Sequence, residues 1–353
     1  LSDHVGRRPV LIIGLAGSVV FYTLFGIATL MQSLSLLFVS RIGAGIAGAT
    51  IPTAQAYIAD STSLEKRPKG MALIGMAFGL GFTFGPLLAF LAVPSGHGDP
   101  GPWPGYVAAL LSAFALVLAW FRLPESRRPD ERPEARRFFD IGGFRQALVT
   151  PSIGLLLMGV FVCVFSFATY ETTLSPLIKG SDEVSQSPFQ FTFRGVCLTY
   201  AYIGFILALV QGGIVRRLAG RVSEAQMTIA GALVELTGYG VMIVAIQQGS
   251  FAWLMVAAAA VVGGFSVMHP NLTSLVSRRS DPTTQGGIMG VSQSISALAR
   301  ILGAGLGIPL LVRELRLPYG VSAALMAVGL AVLIVAIRRG RDFPAADPQG
   351  DPV

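Results

Sequence analysis

Long apolar runs alternate with short polar breaks along the whole chain. About ten runs stand out, at roughly 9–31, 34–58, 69–94, 103–122, 152–177, 194–215, 224–247, 250–275, 285–312 and 317–337. Each is closed by charges or by Gly, Pro, Ser and Asp. A helix that crosses a bilayer needs about 20 mostly apolar residues, and these runs are too long and too evenly apolar for strands. In hydrocarbon every backbone N–H and C=O must find a partner within the protein, so the runs are expected to be helices. Gly and Ala recur inside them, as in GAGIAG at 43–48 and LGAGLGIP at 302–309. Such residues weaken a helix in water, but in lipid they let helix backbones approach closely.

Composition agrees with this reading. The chain is 53% hydrophobic and 13% charged, with a mean hydropathy of +0.66. A soluble domain is nearer ~45–50% apolar and ~25% charged. The net charge of +7 does not point to nucleic acid, because the basic residues lie in the breaks rather than on one face with base-reading groups. If the runs alternate sides, 20 of the 26 Lys and Arg fall in one set of breaks, which makes that side cytoplasmic. Residues 123–151, rich in Pro and in both signs of charge, read as a cytoplasmic linker. It separates a first transmembrane half (1–122) from a second (152–337), with a cytoplasmic tail at 338–353. Cys163 and Cys197 lie in apolar runs without metal-ligand spacing and read as small buried hydrophobes. No metal site is expected. There is no HExxH, no GxSxG and no P-loop, so neither an embedded enzyme nor an ATP-driven pump is indicated.

Four segments carry a family likeness. Leu1-Ser2-Asp3-His4-Val5-Gly6-Arg7-Arg8-Pro9 makes a tight polar turn before the first run. The second run holds Arg41-Ile42-Gly43-Ala44-Gly45 and closes on Asp60, with Arg67 following. The third holds Gly79-Leu80-Gly81-Phe82-Thr83-Phe84-Gly85-Pro86. After the linker, Gly212, Gly213, Arg216, Arg217, Gly220 and Arg221 echo the first turn, without a clear counterpart of its acidic residue. These segments resemble the signatures of the major facilitator superfamily, and Pro270-Asn271, Gln285–Ser294 and Ala299–Gly303 resemble its tetracycline-exporter-like drug/proton antiporters. The resemblance implies an all-α polytopic membrane protein of two six-helix halves, with the first one to two helices lying before Leu1. It also implies no cofactor, drive by the proton gradient, a monomer and a place in the plasma membrane.

The resemblance gives the segments roles. Asp3, Gly6, Arg7, Arg8, Asp60 and Arg67 would form a cytoplasmic charge cluster that latches the outward-facing state; helix-end charges in water are the alternative. Gly81, Gly85 and Pro86 would be the bent fifth helix of exporters, or generic close packing. Arg41 would tune a nearby carboxylate, or snorkel to headgroups from a span end.

Other polar residues are placed by the residues themselves. Glu235 lies deep among Leu233, Val234 and Leu236, as a proton carrier or as a neutral acid bonded to a neighbour. Glu171 reads as a proton or cation site, or as an interfacial carboxylate. Gln55, Tyr57, Gln211, Asn271, Gln293 and Arg300 are cavity candidates, and Arg300, midway along its span, needs an anionic or carbonyl partner. His269, before Pro270, reads as a helix-end residue, and Phe161, Phe165, Phe167 and Tyr170 as apolar lining or plain packing. The function expected is export of a small drug-like or tetracycline-like molecule by proton antiport with alternating access. A sugar or metabolite uniporter or symporter of the same fold, or a transport-inactive sensor, remains open at this point.

Overall fold

The computed structural model describes residues 5–48, 50–61, 67–93, 101–126, 151–179, 187–218, 220–280 and 285–340, and among these it is helical without strands. The helices are α1 (Arg7–Leu30), α2 (Leu34–Gly48), α3 (Ile51–Ser61), α4 (Arg67–Ala92), α5 (Trp103–Arg122), α6 (Pro151–Lys179), α7 (Phe193–Leu209), α8 (Glu224–Gln248), α9 (Phe251–Arg278), α10 (Gln285–Arg313) and α11 (Leu317–Arg339). Each expected run is found as a helix, except that the second is two helices, α2 and α3. Pro52 explains the break: it has no N–H to offer the carbonyl of Gly48. Among the described residues eight helices are long and apolar enough to cross a membrane, and Leu34–Gly48 and Gly79–Ala92 are shorter apolar helices.

Local chemistry sets several helix ends. Gly6 precedes α1 with φ 108°, a conformation that L side chains rarely adopt. Ser223 accepts from the backbone N–H of Gln226, whose side chain returns to Ser223, closing a capping box at the start of α8. Gly249 ends α8 in the left-handed conformation, φ 59°. Past α7 the chain continues through a π-turn, Val210–Val215, that contains Gln211, Gly212 and Gly213. Prolines lie inside α4, α6, α9 and α10. Beside Pro270 in α9, the Asn271 side-chain amide donates to the Val267 carbonyl at 2.6 Å, and Thr273 Oγ1 donates to the His269 carbonyl at 2.9 Å.

The helices divide into two compact units. The first contains α1 to α5 and the start of α7, and the second contains α6, the rest of α7 and α8 to α11. In the first unit α1 is the centre. Gly26 of α1 faces Tyr106 of α5, Gly43 of α2 faces Phe21 of α1, and Gly105 of α5 faces Phe25 of α1. In the second unit α6 is the centre, with Leu156, Leu157, Cys163 and Leu177 fully enclosed. It runs parallel to α10, since Gly303 lies against Phe165 to Thr169 and Gly307 against Thr169 and Thr173. It is tied to α11 by reciprocal bonds: Ser166 Oγ donates to the Ser322 carbonyl at 2.7 Å and Ser322 Oγ to the Ser166 carbonyl at 3.0 Å.

Helices α8 and α9 approach one another backbone to backbone. A Cβ on Gly264 would sit 2.5 Å from the Glu235 backbone N and 2.6 Å from the Gly231 carbonyl, and backbone cannot move aside. Gly264→Val is therefore expected to destabilise the protein by about 1–3 kcal/mol or more through overpacking. Gly45→Ala, where nothing lies within 4 Å among the described residues, is expected to be neutral. Thermal unfolding of both variants in detergent, read by loss of monodisperse protein, compares them.

Candidate functional site

Three groups of polar side chains stand out in this apolar molecule. The first surrounds the turn before α1. Arg7 Nε donates to Asp60 Oδ2 of α3 at 3.0 Å. The backbone N–H groups of Arg7 and Arg8 donate to the two oxygens of Glu125 at 2.9 and 3.1 Å. Glu125 lies just beyond α5 and so places an anion on the N-terminus of α1, where unpaired amides and the helix dipole favour it. Arg8 Nη2 completes the ring by donating to the Trp120 carbonyl near the end of α5 at 2.9 Å. A Cβ on Gly6 would come 2.7 Å from Glu125 Oε2, so glycine is required for space as well as for φ. Asp3 lies outside the described residues, as does the side chain of Arg67. Sequence reasoning missed Glu125. The signal available was a lone Glu immediately after an apolar run, ahead of the arginine-rich stretch.

The second unit has its own version of this pairing. Arg278 Nη1, at the end of α9, donates to Glu224 Oε2, at the start of α8, at 2.7 Å, and Ser274 Oγ donates to Glu224 Oε1 at 3.3 Å. They line a cleft of about 410 Å³ with Gly220, Arg221, Met227 and Asn271. The acidic counterpart sought in the echo motif is thus Glu224. It sits past the glycines, and the charges are exchanged: the helix start carries the acid and the later helix end the base.

The third group lies within the spans of the second unit. Arg300 Nη1 of α10 meets Glu171 Oε2 of α6 at 2.6 Å, and both side chains keep access to the surface, at 48% and 38%. Beside them runs an aromatic ladder. Phe167 of α6 stacks on Phe265 of α9 with centroids 3.8 Å apart, and Phe265 stacks on His269 at 5.0 Å. Arg300 is within electrostatic reach of His269. Counted from the shared end of the bundle, Phe265, Arg300 and Phe167 lie about 20 to 24 Å along helices about 40 Å long, at about 1.5 Å per residue. That is mid-depth. Exposed charges within a span are costly against acyl chains unless they are paired, and here the two cancel one another. The structure supplies the anionic partner expected for Arg300 and brings His269 into the same group; its neighbour Pro270 lies inside α9 rather than ending it.

Glu235 is separate. It is fully buried, accepts from Tyr239 Oη one turn along α8 at 2.7 Å, and its Oε2 has no partner among the described residues. Its bond is within its own helix rather than to a neighbouring one. Tyr170 packs edge-on against Tyr239 and Tyr319 close by. Arg41 lies over the ring of Phe25, 3.8 Å from its centroid, which satisfies the cation through a π face. Nothing lies within 4 Å of a Cβ placed on Gly81 or Gly85 among the described residues, while Pro86 is half-buried inside α4. Gln211 is exposed on the π-turn, Gln293 is exposed on α10, Asn271 is buried, and Tyr57 is half-buried on α3. The side chain of Gln55 lies outside the described residues. Phe161 and Phe165 stack on one another at 5.9 Å, and both cysteines are free and buried.

A family model described as the Major Facilitator Superfamily matches residues 1–304 of the chain. The chain belongs to this superfamily. It is 31% identical to the class C tetracycline resistance protein of Escherichia coli over 350 residues, covering 96% of the chain and 82% of that protein. It is 29% identical to the class D protein of Salmonella ordonez over 303 residues, covering 86% and 72%. Among solved structures, the crystal structure of the human organic anion transporter MFSD10 superposes with a TM-score of 0.68 at 25% identity, covering 94% of the chain and 78% of that structure. The chain is therefore a multi-pass membrane protein of a transporter family, and the polar groups above are the chemistry that its helices carry.

The exchanged charges give a direct test. Glu224→Arg and Arg278→Glu are each expected to impair folding or transport by placing like charges together. The double variant is expected to recover most of the loss, with a coupling of up to about 1 kcal/mol because the pair is partly exposed. Thermal unfolding of the four proteins in a double-mutant cycle measures it.

Proposed function

We propose that this chain exports a small organic molecule, drug-like or tetracycline-like, in exchange for protons by alternating access. The carrying observation is the Arg300–Glu171 pair within the spans, beside the Phe167–Phe265–His269 ladder. It combines what a site for organic molecules needs: aromatic faces for apolar rings, and a few polar groups that fix orientation. A binding site near the midplane is where alternating access needs it, since both sides must reach it in turn. Glu171 is the group that exchanges a proton. Protonation removes the charge that a basic or polar substrate group would meet, so proton and substrate exclude one another there. Arg41 and Glu235 assist proton coupling, and Gln55, Tyr57, Gln211, Asn271 and Gln293 add polar lining.

Alternating access needs a device that favours one state. The Arg7–Asp60–Glu125 cluster, with Asp3 and Arg67, acts as a cytoplasmic latch, since a few charge-assisted bonds bias two states by kcal/mol. Gly81, Gly85 and Pro86 give α4 the bend that such motion uses. The protein works as a monomer in the plasma membrane, linker and tail cytoplasmic, without a cofactor. The tetracycline resistance proteins and the MFSD10 organic anion transporter support the assignment to small organic molecules.

Inside-out vesicles carrying the protein, loaded with an acid lumen, test this reading against a panel of tetracyclines, lipophilic cations and sugars. The expected result is rapid alkalinisation of the lumen on adding one organic compound, at least tenfold slower in Arg300→Gln and in Asp60→Asn. A response to sugars alone, or none with a working gradient, contradicts it.

A further inference from the structure

The end of the second unit where α8 begins is basic. The cleft of about 410 Å³ at that end is lined by two arginines, Arg221 and Arg278, against one acid, Glu224. Glu224 pairs with Arg278, whose side chain still stays 53% exposed. Arg221 is exposed, and its guanidinium meets no partner among the described residues. Asn271, buried but lining the same cleft, gives one amide N–H to the Val267 carbonyl and has another to give. The cleft thus offers more donors than acceptors, two of the donors charged, and suits the oxygens of an anion.

The chain itself carries such oxygens past this place. Helix α8 packs on α11. Arg279, next to Arg278 at the end of α9, turns to α11 and donates from Nη1 to the Ala336 carbonyl at 2.9 Å and from Nη2 to the Ile337 carbonyl at 3.4 Å. Gly340 lies against the same guanidinium, where a Cβ would collide with it. The α-carbons of Arg278 and Arg279 are about 3.8 Å apart, so the chain leaves α11 beside the cleft. Residues 341–353, RDFPAADPQGDPV, lie outside the described residues. They carry Asp342, Asp347 and Asp351, with no Lys or Arg past Arg341. We propose that the acidic segment 342–353 docks in this cleft, Asp342 meeting Arg278 and Asp347 meeting Arg221.

Reach permits the contact. Asp342 extends up to about 7 Å past Gly340 and Asp347 up to about 23 Å, whereas packed helices lie only about 8–10 Å apart. Charge selects this segment over the linker at 123–151, which carries more arginine than acid. Tethering raises its local concentration, which favours it over a free phosphate or a lipid headgroup. Pro344, Pro348 and Pro352 reduce the freedom that docking removes. Both arginines are exposed, so the contact weakens as salt screens it. The docked segment joins the start of α8, the end of α9 and the end of α11, and keeps other anions from the cleft.

Both native cysteines are buried, so a cysteine introduced by Ala346→Cys reports on the segment alone. Its labelling by a maleimide is followed in the full chain, in phosphatidylcholine nanodiscs at low salt. Labelling is expected to be about tenfold slower than in the same chain carrying Arg221→Glu, as a docking preference of one decade in equilibrium constant gives. High salt, or Asp342→Asn together with Asp347→Asn, is expected to remove the protection. Asp347→Arg is expected to restore it to the Arg221→Glu chain, which a variant that had merely failed to fold would not allow. Fast labelling of the parent, or protection that survives Arg221→Glu, overturns the proposal. Release of the segment by added inorganic phosphate gives the cleft to a free anion, and release by phosphatidylglycerol in the nanodisc gives it to a headgroup; either overturns the proposal as well.

Discussion

A charge inside a membrane must be cancelled or hydrated, and much of this molecule follows from that constraint. Its long helices carry few ionisable groups, and the structure accounts for each one differently. Arg300 and Glu171 neutralise one another across two helices and keep access to the surface. Arg41 rests on the face of Phe25. Glu235 accepts a tyrosine hydroxyl in a fully enclosed place. Of these, the pair alone joins opposite charges, access and a neighbouring aromatic surface, which is why the proposed site is built on it.

The pair is held by close packing rather than by polar scaffolding. Lipid is as apolar as leucine, so helices gain little by hiding apolar side chains from it, and fit becomes the main source of cohesion. Gly303 and Gly307 let α10 lie directly on the backbone of α6, which fixes Arg300 opposite Glu171. Gly231 and Gly264 do the same for α8 and α9, which carry Glu235 and the Phe265–His269 stack. The Ser166–Ser322 exchange locks α11 to the other side of α6. A substitution at these glycines would thus disturb the charged groups without touching them.

Much of the fold was legible in the sequence because hydrocarbon imposes length and apolarity directly. Helix limits came within a few residues, and the division of the second run into α2 and α3 was hidden only because Pro52 interrupts backbone bonding without interrupting apolarity. The site was legible where a physical demand pointed to a partner: Arg300 required an anion or a carbonyl, and Glu171 is the anion it meets. It was illegible where partners are far apart in sequence or meet through backbone. Glu125 binds the amides of Arg7 and Arg8 across more than a hundred residues, and no side-chain pattern announces that. Glu224 escaped because an acid was sought inside the glycine-arginine motif, whereas the pairing needs only opposite charges on two helix ends. His269 looked like a helix end because proline follows it, yet Pro270 sits within α9.

The central claim is that the Arg300–Glu171 face meets water while the opposite side of α10 meets lipid. Gln293 and Leu298 are both exposed on α10, but on a helix Gln293 lies about 20° from Arg300 in projection and Leu298 about 160°. Both native cysteines are buried, which keeps background labelling low. A membrane-impermeant methanethiosulfonate reagent applied to Gln293→Cys and Leu298→Cys therefore decides the matter. The account predicts rapid labelling at position 293, slowed by a bound transport substrate, and negligible labelling at 298. Equal protection at both positions, or labelling at 298 alone, would place the charged pair against lipid and contradict the account.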